Sequence, residues 1–415
     1  MLLLSHPTGN TFFRAAARAF YHSDLLAELA SSICWNSNSV LSRYLPSSLS
    51  SQLARRSFID IPLSIQHSHP SRELLRLLSS NFNNIWLHSH ERGPLSIDKL
   101  YQRFDSHIAR RLHQLQFLTG VYAYEDCALA TFQSAKGLGL KCFYDLPIGY
   151  WRAAQLIFSE ERELQPEWAS TISGLNDSQA KLARKDHELS LADVVIVPSN
   201  FVRTSLETFN ACTSPIKVIP FGSPSIIRLP EPPTYLRPLK VLYVGSLGQR
   251  KGLSYALDAI NSLGNQVTFT LIGKRSVLDC KPLNTALERF RWIESLPHNQ
   301  VLDQMSCHDV LLLPSLFEGY ALVISEALSR GLPVITTPNS GAIDIVRDGI
   351  EGYIVPIRNS TAIAERLQIL IDDPHLLDFM KSNCILRATE LSWSLYENSI
   401  SGYVKQTLSP PHSCL

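Results

Sequence analysis

The sequence predicts an α/β protein of two doubly wound domains that face each other across a cleft. Short apolar runs rich in β-branched residues alternate with helix-like segments, which is typical of parallel sheets covered by helices on both faces. The alternation occurs twice, and residues 224–238, which include five prolines, separate the two series. Proline fixes φ and lacks an N–H, so this stretch is excluded from the interior of a helix or sheet. We predict that it links two domains, in keeping with a length of 415 residues.

The first series lies in a domain predicted over residues 1–223. It begins with a short apolar run at residues 2–4, after which strands are predicted at 85–87, 121–124, 141–144, 194–197 and 216–220. Helix-like segments occupy residues 126–138 and 178–192. Residues 31–80 are rich in serine and have weak periodicity, so we predict helices with long surface loops there.

The second series, in a domain predicted over residues 239–385, is more regular. Its strands are predicted at 240–244, 268–272, 290–293, 310–314, 333–336 and 352–355, and its helices near 252–263, 300–305, 322–329 and 361–371. Ligands of doubly wound sheets bind beyond the carboxyl ends of the strands. The cleft between two such domains is therefore the expected binding site.

Composition argues against several classes of protein. The formal net charge is +1, so the chain lacks the basic footprint of a nucleic-acid-binding protein. The eight cysteines form no C-x2-C pair, and we expect no zinc site and reduced thiols in a cytoplasmic protein. The apolar start is too short for a signal peptide, and no apolar run reaches the roughly 18 residues of a membrane span. A weak contact with a membrane surface stays open through Arg14, Arg18, Arg55 and Arg56.

A glycine-rich loop with two basic residues follows the first strand of the second domain. It reads VGSLGQRKG at residues 244–252, and Gly245 and Gly248 would let the backbone approach a ligand. The next helix offers free N–H groups and the positive end of its dipole, and Arg250 and Lys251 add full charges. These features favour a diphosphate, although a tight turn with solvated basic side chains would give the same pattern. The spacing of a Walker A loop is absent.

Two glutamates, Glu318 and Glu326, lie eight residues apart around the start of a predicted helix. Eight helical steps span about 12 Å, so these carboxylates cannot share a proton or a metal ion. They can contact two parts of an elongated polar ligand, such as a sugar and a ribose, because carboxylates accept hydroxyl hydrogen bonds. Alternatively, Glu318 is a charge at a helix start and Glu326 a solvated residue, but Glu326 lies between Ile324 and Leu328 in a mostly apolar helix.

Three segments of the second domain together resemble the retaining glycosyltransferases of family 4, the glycosyl transferases group 1 family. They read VGSLGQRKG, PSLFEGYALVISEALSRGLPVITT and SGAIDIVRDGIEGYIVP. The resemblance is strong over about residues 239–385 and weak before them. It implies a GT-B fold of two Rossmann-like domains, a nucleotide-sugar donor, and no need for a metal ion or other cofactor. It also implies that residues 386–415 cross back as a helix onto the first domain.

The resemblance further implies roles for individual residues. Glu318 would contact hydroxyls of the donor sugar, Glu326 the ribose, and Lys251 the diphosphate. Trp292, near the family's nucleobase site, would stack on the base or, alternatively, serve the core. The remaining implied donor contacts are the phosphate-loop residues and the backbone amides after the first glutamate: Gly245, Ser246, Gly248, Gly319, Tyr320 and Ala321.

The sequence departs from the family pattern at three places. Ser246 stands where the family usually has arginine, and Arg250 is our candidate for supplying that charge. A later segment that ends in glutamate in the family ends in Asp344 here. Many members have a histidine at the end of a strand in the first domain, and the comparable residues 141–147 have none. Asp145 is the candidate for that catalytic place, with a plain turn residue as the alternative.

Three further residues of the first domain are candidates for the acceptor side of the cleft. Gly9 and Asn10 follow the short apolar start, and in the family this first loop lies near the acceptor and the donor phosphates. Glu125 ends a predicted strand and could line the cleft. A turn at a helix start would equally explain the first two residues, and a helix N-terminal charge would explain Glu125.

The motifs and the resemblance together imply a retaining glycosyltransferase that moves a sugar from a UDP- or GDP-sugar to a hydroxyl of a glycan, lipid or small molecule. Arg250 and Lys251 would stabilise the charge that builds on the leaving diphosphate. Two other classes stay open. One is a different enzyme of the same fold, such as an epimerase, and the other is a non-catalytic sugar-nucleotide-binding protein, which Ser246 and the missing histidine favour.

Overall fold

The computed structural model describes residues 1–36, 53–54, 56–79, 85–227 and 238–409. These residues form two β-sheets of seven and six strands, and the strands of each sheet pair in parallel. The predicted α/β class with two doubly wound sheets is confirmed. Most of the predicted linker, residues 228–237, lies outside the described residues, as does Arg55.

The N-terminal sheet has the strand order β3-β2-β1-β4-β5-β6-β7. Its strands are β1 (Leu2–Ser5), β2 (Leu26–Ser31), β3 (Gln66–Ser68), β4 (Gly120–Tyr124), β5 (Lys141–Asp145), β6 (Val194–Val197) and β7 (Ile216–Val218). The order reverses between β1 and β4, and such a reversal leaves a crevice at the carboxyl ends of the strands.

Helices cover both faces of this sheet. They are α1 (Thr11–His22), α2 (Ser71–Ser79), α3 (Ile85–His88), α4 (Ile97–Leu112), α5 (Leu129–Gly137), α6 (Trp151–Leu164), α7 (Gln179–Leu191) and α8 (Asn200–Thr208). Every residue of β1, β4 and β6 is buried. Because both faces of these strands are covered, their sequences are nearly continuous apolar runs without polar alternation.

The C-terminal sheet has the order β10-β9-β8-β11-β12-β13, which reverses between β8 and β11. Its strands are β8 (Leu239–Val244), β9 (Val267–Ile272), β10 (Arg291–Ile293), β11 (Val310–Leu313), β12 (Val334–Thr336) and β13 (Gly352–Ile354). Its helices are α9 (Leu253–Leu263), α10 (Lys281–Arg289), α11 (His298–Ser306), α12 (Leu322–Ser329), α13 (Ser360–Asp372) and α14 (Pro374–Glu390), and α15 (Trp393–Leu408) follows them.

The N-terminal sheet differs from the sequence prediction in two ways. Residues 85–87, predicted as a strand, lie in the short helix α3. The prediction was wrong because an apolar triplet is too short to distinguish a strand from a helix. The strands β2 and β3 were not predicted. The sequence of β2, LAELAS, contains Glu28, which Arg111 on α4 satisfies with Nη2 at 2.7 Å from Oε2. The short first strand β1 pairs with both β2 and β4.

The helix α15 packs against α1 of the N-terminal half. Arg18 on α1 donates from Nε and Nη2 to Glu397 Oε1 at 2.9 and 2.7 Å, and Tyr396 and Val404 are buried in the same core. Arg18, considered above for a membrane contact, is therefore engaged within the protein. No helix in the described part of the chain is both long and apolar enough to cross a bilayer.

Candidate functional site

The carboxyl ends of the two sheets face each other. Ser199, after β6, donates from Oγ to the carbonyl oxygen of Gly319, after β11, at 2.6 Å. Asn200 donates from its backbone N to Asp344 Oδ2 at 2.7 Å. A Cβ on Gly319 would lie 1.8 Å from the carbonyl oxygen of Pro147, after β5. The loops that carry the C-terminal motifs therefore touch the loops of the N-terminal half, and Gly319 is required by this close approach.

Glycines in and near residues 244–252, which we call the phosphate loop after its predicted ligand, let the strand ends come close together. Gly245 has a φ of 153°, and a Cβ on Gly273, after β9, would lie 1.7 Å from the carbonyl oxygen of Gly245. Gly252 has a φ of 67°, and a Cβ there would lie 2.0 Å from the carbonyl oxygen of Pro314. Between them, Gln249–Lys251 form a single 3-10 turn before α9. The loop thus holds the two basic residues directly beyond β8 and β11.

Both basic residues of this turn form ion pairs with Glu318. Arg250 Nη1 and Lys251 Nζ each lie 2.7 Å from Glu318 Oε1. Lys251 and Glu318 are each 8% exposed, so the pair forms largely out of water. Burial lowers the pKa of Lys251 and outweighs the carboxylate of Glu318, which raises it. The structure brings together three residues that the sequence placed in two separate motifs.

The segment after Glu318 is fixed by neighbouring loops. The backbone N of Ala321 donates to the carbonyl oxygen of Ser340 at 3.0 Å, and the Tyr320 hydroxyl donates to the carbonyl oxygen of Phe221 at 2.9 Å. We predicted that the Ala321 amide contacts the nucleotide-sugar donor, but this amide already donates a hydrogen bond within the protein. That contact would therefore require Ala321 to exchange partners.

Glu326 on α12 is hydrogen-bonded to a histidine that the sequence did not single out. Its Oε1 lies 2.9 Å from His298 Nε2, and this hydrogen bond raises the pKa of His298. Trp292 on β10 donates from Nε1 to the carbonyl oxygen of Gly273 at 2.9 Å. The Arg275 guanidinium lies 5.2 Å from its ring centroid, and the ring also packs against the C-terminal core. These contacts agree with the alternative of a core tryptophan.

Asp145, the predicted acceptor-side acid, lies in the N-terminal core with 1% exposure. The Tyr122 hydroxyl donates to Asp145 Oδ2 at 2.6 Å. Burial raises the pKa of Asp145 to about 7, although the hydroxyls of Tyr122 and Tyr124 lower it. No hydrogen bond or ion pair among the described residues joins Asp145 to Glu318. The geometry therefore does not support the predicted catalytic role, because tyrosines enclose the carboxyl group.

The loop after β1 contains the predicted acceptor candidates Gly9 and Asn10. Asn10 is the N-cap of α1 and accepts a hydrogen bond from the backbone N of Phe13 at 2.8 Å. This position agrees with the alternative interpretation, a turn at the start of a helix. His6, at the carboxyl end of β1, was not singled out from the sequence. Its ring centroid lies 4.8 Å from that of Tyr124, and burial lowers the pKa of His6 to about 4. Its position after the strand at the sheet reversal is the signal that could have identified it.

Glu125, the third acceptor candidate, is engaged within the N-terminal half. Its Oε1 lies 3.3 Å from Lys185 Nζ on α7, and Lys185 also pairs with Asp126 at 3.5 Å. Burial raises the pKa of Glu125 to about 7 against the opposing charge of Lys185. Glu125 therefore belongs to an internal charge cluster beyond β4.

One group of possible metal ligands occurs among the described residues, namely His90, Glu91 and Asp177. Lys181 Nζ lies 2.9 Å from Asp177 Oδ1, and Glu91 Oε1 accepts from the backbone N of Ser178 at 2.7 Å. A lysine already neutralises one carboxylate, and the start of α7 engages the other. These residues do not fit a metal ion, and the expectation that none is required stays a prediction.

A buried polar network between the two halves could not be found from the sequence. Glu161 on α6 accepts hydrogen bonds from Gln249 Nε2 at 2.6 Å, from the Tyr255 hydroxyl at 3.0 Å and from Arg358 Nε at 2.6 Å. These partners are 88, 94 and 197 residues away along the chain, so no local pattern connects them. Gln249 immediately precedes the two basic residues of the phosphate loop.

Residues 230–387 match the family model described as glycosyl transferases group 1. The matched segment contains the phosphate loop, Glu318 and Glu326. The C-terminal half thus resembles the glycosyl transferases group 1 family over these residues. The resemblance seen in the sequence motifs is confirmed at that level, and we call residues 230–387 the group 1 domain.

Curated relatives match part of the chain. Alpha-D-kanosaminyltransferase of Streptomyces kanamyceticus is 27% identical over 178 residues, covering 41% of this chain and 46% of the relative. Glycogen synthase of Mycobacterium tuberculosis is 28% identical over 144 residues, covering 33% of this chain and 35% of the relative. The chain thus matches less than half the length of each of these relatives.

Solved structures match both halves together. Sucrose-phosphate synthase from Thermosynechococcus elongatus superposes with a TM-score of 0.67 at 16% identity, over 98% of each chain. Anabaena HepE in complex with UDP and glucose superposes with a TM-score of 0.64 at 16% identity, over 97% of this chain and 99% of that one. The N-terminal half and the group 1 domain therefore together form a GT-B fold.

Proposed function

We propose that this protein is a retaining glycosyltransferase that transfers a sugar from a UDP- or GDP-sugar to a hydroxyl of a glycan, lipid or small molecule. The observation that supports it most is the triad of Arg250, Lys251 and Glu318 beyond β8 and β11. The reversal of strand order at this point is where doubly wound sheets bind nucleotides. A related fold binds UDP and glucose in HepE, and relatives of the group 1 domain carry the names of a sugar transferase and a glycogen synthase.

The triad can exchange partners when a donor binds. Glu318 Oε1 lies 2.7 Å from both cations. A diphosphate would compete for them, because phosphate oxygens are strong acceptors for arginine and lysine. Glu318 would then be released to accept hydrogen bonds from the sugar hydroxyls. A single rearrangement would thus serve both the phosphate and the sugar.

The same cations would assist departure of the leaving group. When the bond between the anomeric carbon and the diphosphate breaks, negative charge grows on the phosphate oxygens, and Arg250 and Lys251 are held in place to stabilise it. The acceptor hydroxyl would attack the same face and give its proton to an oxygen of the departing diphosphate, which gives retention. Close packing of Gly319 on Pro147 would help keep water from the reacting centre.

A thermal-shift panel of UDP, GDP, ADP and their glucose and mannose conjugates tests this proposal. We expect one nucleotide and its sugar conjugate to raise the Tm with concentration, since only a ligand of the folded state stabilises it by mass action. Turnover with an acceptor should release the nucleoside diphosphate, and the anomeric coupling constant of the product should show retention.

Three results would contradict the proposal. If no nucleotide raised the Tm, the protein would have no binding site for a nucleotide-sugar donor. Conversion of the donor alone into another sugar nucleotide would favour an epimerase. Binding without turnover across glycan, lipid and small-molecule acceptors would favour a non-catalytic sugar-nucleotide-binding protein.

A further inference from the structure

We infer that Glu161 of the N-terminal half is a positioning residue that orders the phosphate loop through Gln249, so that the grip on a donor diphosphate depends on contact between the two halves. The inference rests on the proposed function, because it takes Arg250 and Lys251 as the diphosphate ligands. Glu161 acts on the donor through these residues and does not contact it.

Glu161 is a fully buried carboxylate at the contact between the halves. Its Oε1 accepts from Gln249 Nε2 at 2.6 Å, and its Oε2 accepts from Arg358 Nε at 2.6 Å. The Tyr255 hydroxyl lies 3.0 and 3.3 Å from the two oxygens. A buried charge is costly unless it is paired and hydrogen-bonded. Since all three partners come from the group 1 domain, Glu161 is satisfied only while the halves are in contact.

Gln249 connects Glu161 to the phosphate loop through hydrogen bonds. Besides Glu161, its Nε2 donates to Ser254 Oγ at 2.6 Å, and its Oε1 accepts from the backbone N of Ser254 at 3.2 Å. Its own backbone N donates to Thr171 Oγ1 of the N-terminal half at 3.0 Å. The side chain therefore caps α9, whose N-cap Gly252 has no side chain to do so. Because Gln249 begins the turn that carries both cations, its position sets theirs.

Arg358 shows that the contact is held in a specific geometry. It is a non-glycine residue with a φ of 61°, a conformation that is unfavourable for a residue with a Cβ. Its guanidinium donates to Glu161, to Glu160 Oε2 at 2.6 Å and to the carbonyl oxygen of Ile157 at 2.8 Å. All three acceptors lie on α6. Such a backbone persists where several contacts determine it together, and here they fix α6 on the group 1 domain.

Isothermal titration of the full chain with UDP and with UMP tests the inference, with GDP and GMP instead if the wild type binds only guanine nucleotides. Glu161→Gln keeps the size of the side chain and removes its charge. We expect at least a tenfold loss of diphosphate affinity and less than a threefold loss for the monophosphate. A general loss of folding would weaken both nucleotides alike, so the difference between them reports the position of the cations.

Two further variants complete the experiment. Glu160→Gln is the matched control, because Glu160 lies on the same helix, pairs with the same Arg358 and is 57% exposed; its diphosphate affinity should stay within twofold of wild type. Gln249→Met leaves the contacts of Glu161 with Tyr255 and Arg358 but removes the link to the loop. It should reproduce the loss seen in Glu161→Gln, and it decides the matter if that variant does not fold.

The possible outcomes are distinct. Wild-type diphosphate affinity in both Glu161→Gln and Gln249→Met would overturn the inference while leaving the proposed function intact. A loss in Glu161→Gln alone would overturn the route through Gln249. A wild type that binds none of these nucleotides would overturn the proposed function, and the inference with it.

Discussion

Arg250, Lys251 and Glu318 illustrate what single residues in a motif reveal. Their types and spacing predict an anion site and a hydroxyl-binding carboxylate. In the structure, Arg250 Nη1 and Lys251 Nζ each lie 2.7 Å from Glu318 Oε1. Asp145 illustrates the opposite case. Its place at the end of a strand could be predicted, but its enclosure could not, because Tyr122 comes from the neighbouring strand β4. The exposure of a strand-end residue depends on neighbours that are distant in sequence.

The burial of Asp145 predicts a specific effect of pH on stability. Its pKa is about 7 in the folded protein, against about 3.9 in an unfolded chain. Below about pH 4 the carboxyl is protonated in both states. Between about pH 4 and pH 7 it is ionised only in the unfolded chain, so the free energy of unfolding falls across this range and levels off above pH 7. Asp145→Asn, which stays neutral, should therefore exceed the wild type in free energy of unfolding by roughly 2–4 kcal/mol at pH 8, and by much less at pH 4.

Urea unfolding at both pH values measures this difference. Glu160→Gln, which alters an exposed carboxylate, should show no comparable gain at pH 8. A gap between Asp145→Asn and wild type that is the same at both pH values would show that Asp145 does not titrate as proposed.

At the scale of elements, the sequence predicted best where a strand is buried on both faces. The strands β4, β6 and β11 read as apolar runs because helices cover both sides. The strand β2 was missed because it carries alanines and Glu28, and its charge becomes acceptable only when Arg111 arrives from α4. The close approach of Gly252 to Pro314 was not predicted, because the sequence motif assigned Gly245 and Gly248 to the approach of a ligand.

The loop before α9 provides a prediction at this scale. Gly252→Ala places a Cβ 2.0 Å from the carbonyl oxygen of Pro314 at a φ of 67°, so both the conformation and the space oppose it. Gly139→Ala is the matched control, because Gly139 has a φ of 71° with nothing within 4 Å of its Cβ position. We expect about 1 kcal/mol of destabilisation for the control and at least about 2 kcal/mol more for Gly252→Ala. Equal losses in urea unfolding would show that the loop adjusts freely.

At the scale of the whole molecule, the two sheets could be predicted but their docking could not. Periodicity and motif spacing are properties of one chain segment, whereas the contacts of Glu161 and the pairing of Asn200 with Asp344 join residues more than 80 positions apart. Such contacts depend on how two folded halves meet. The acceptor side of the cleft is accordingly the part for which the sequence predicted least, and its candidates Asn10, Glu125 and Asp145 all have structural partners within the N-terminal half.

In the proposed mechanism, Lys251 and Arg250 bind the diphosphate of a sugar-nucleotide donor. The most direct measurement is kcat/KM for nucleoside diphosphate release from the stabilising donor, in wild type and in Lys251→Met. We expect a loss of about 100-fold to 1,000-fold. Lys240→Met is the control, because Lys240 lies at the start of β8, at the opposite end of that strand from the loop that carries Lys251, and it should stay within twofold of wild type. A Lys251→Met variant that folds and keeps kcat/KM within threefold of wild type would show that Lys251 does not bind the diphosphate.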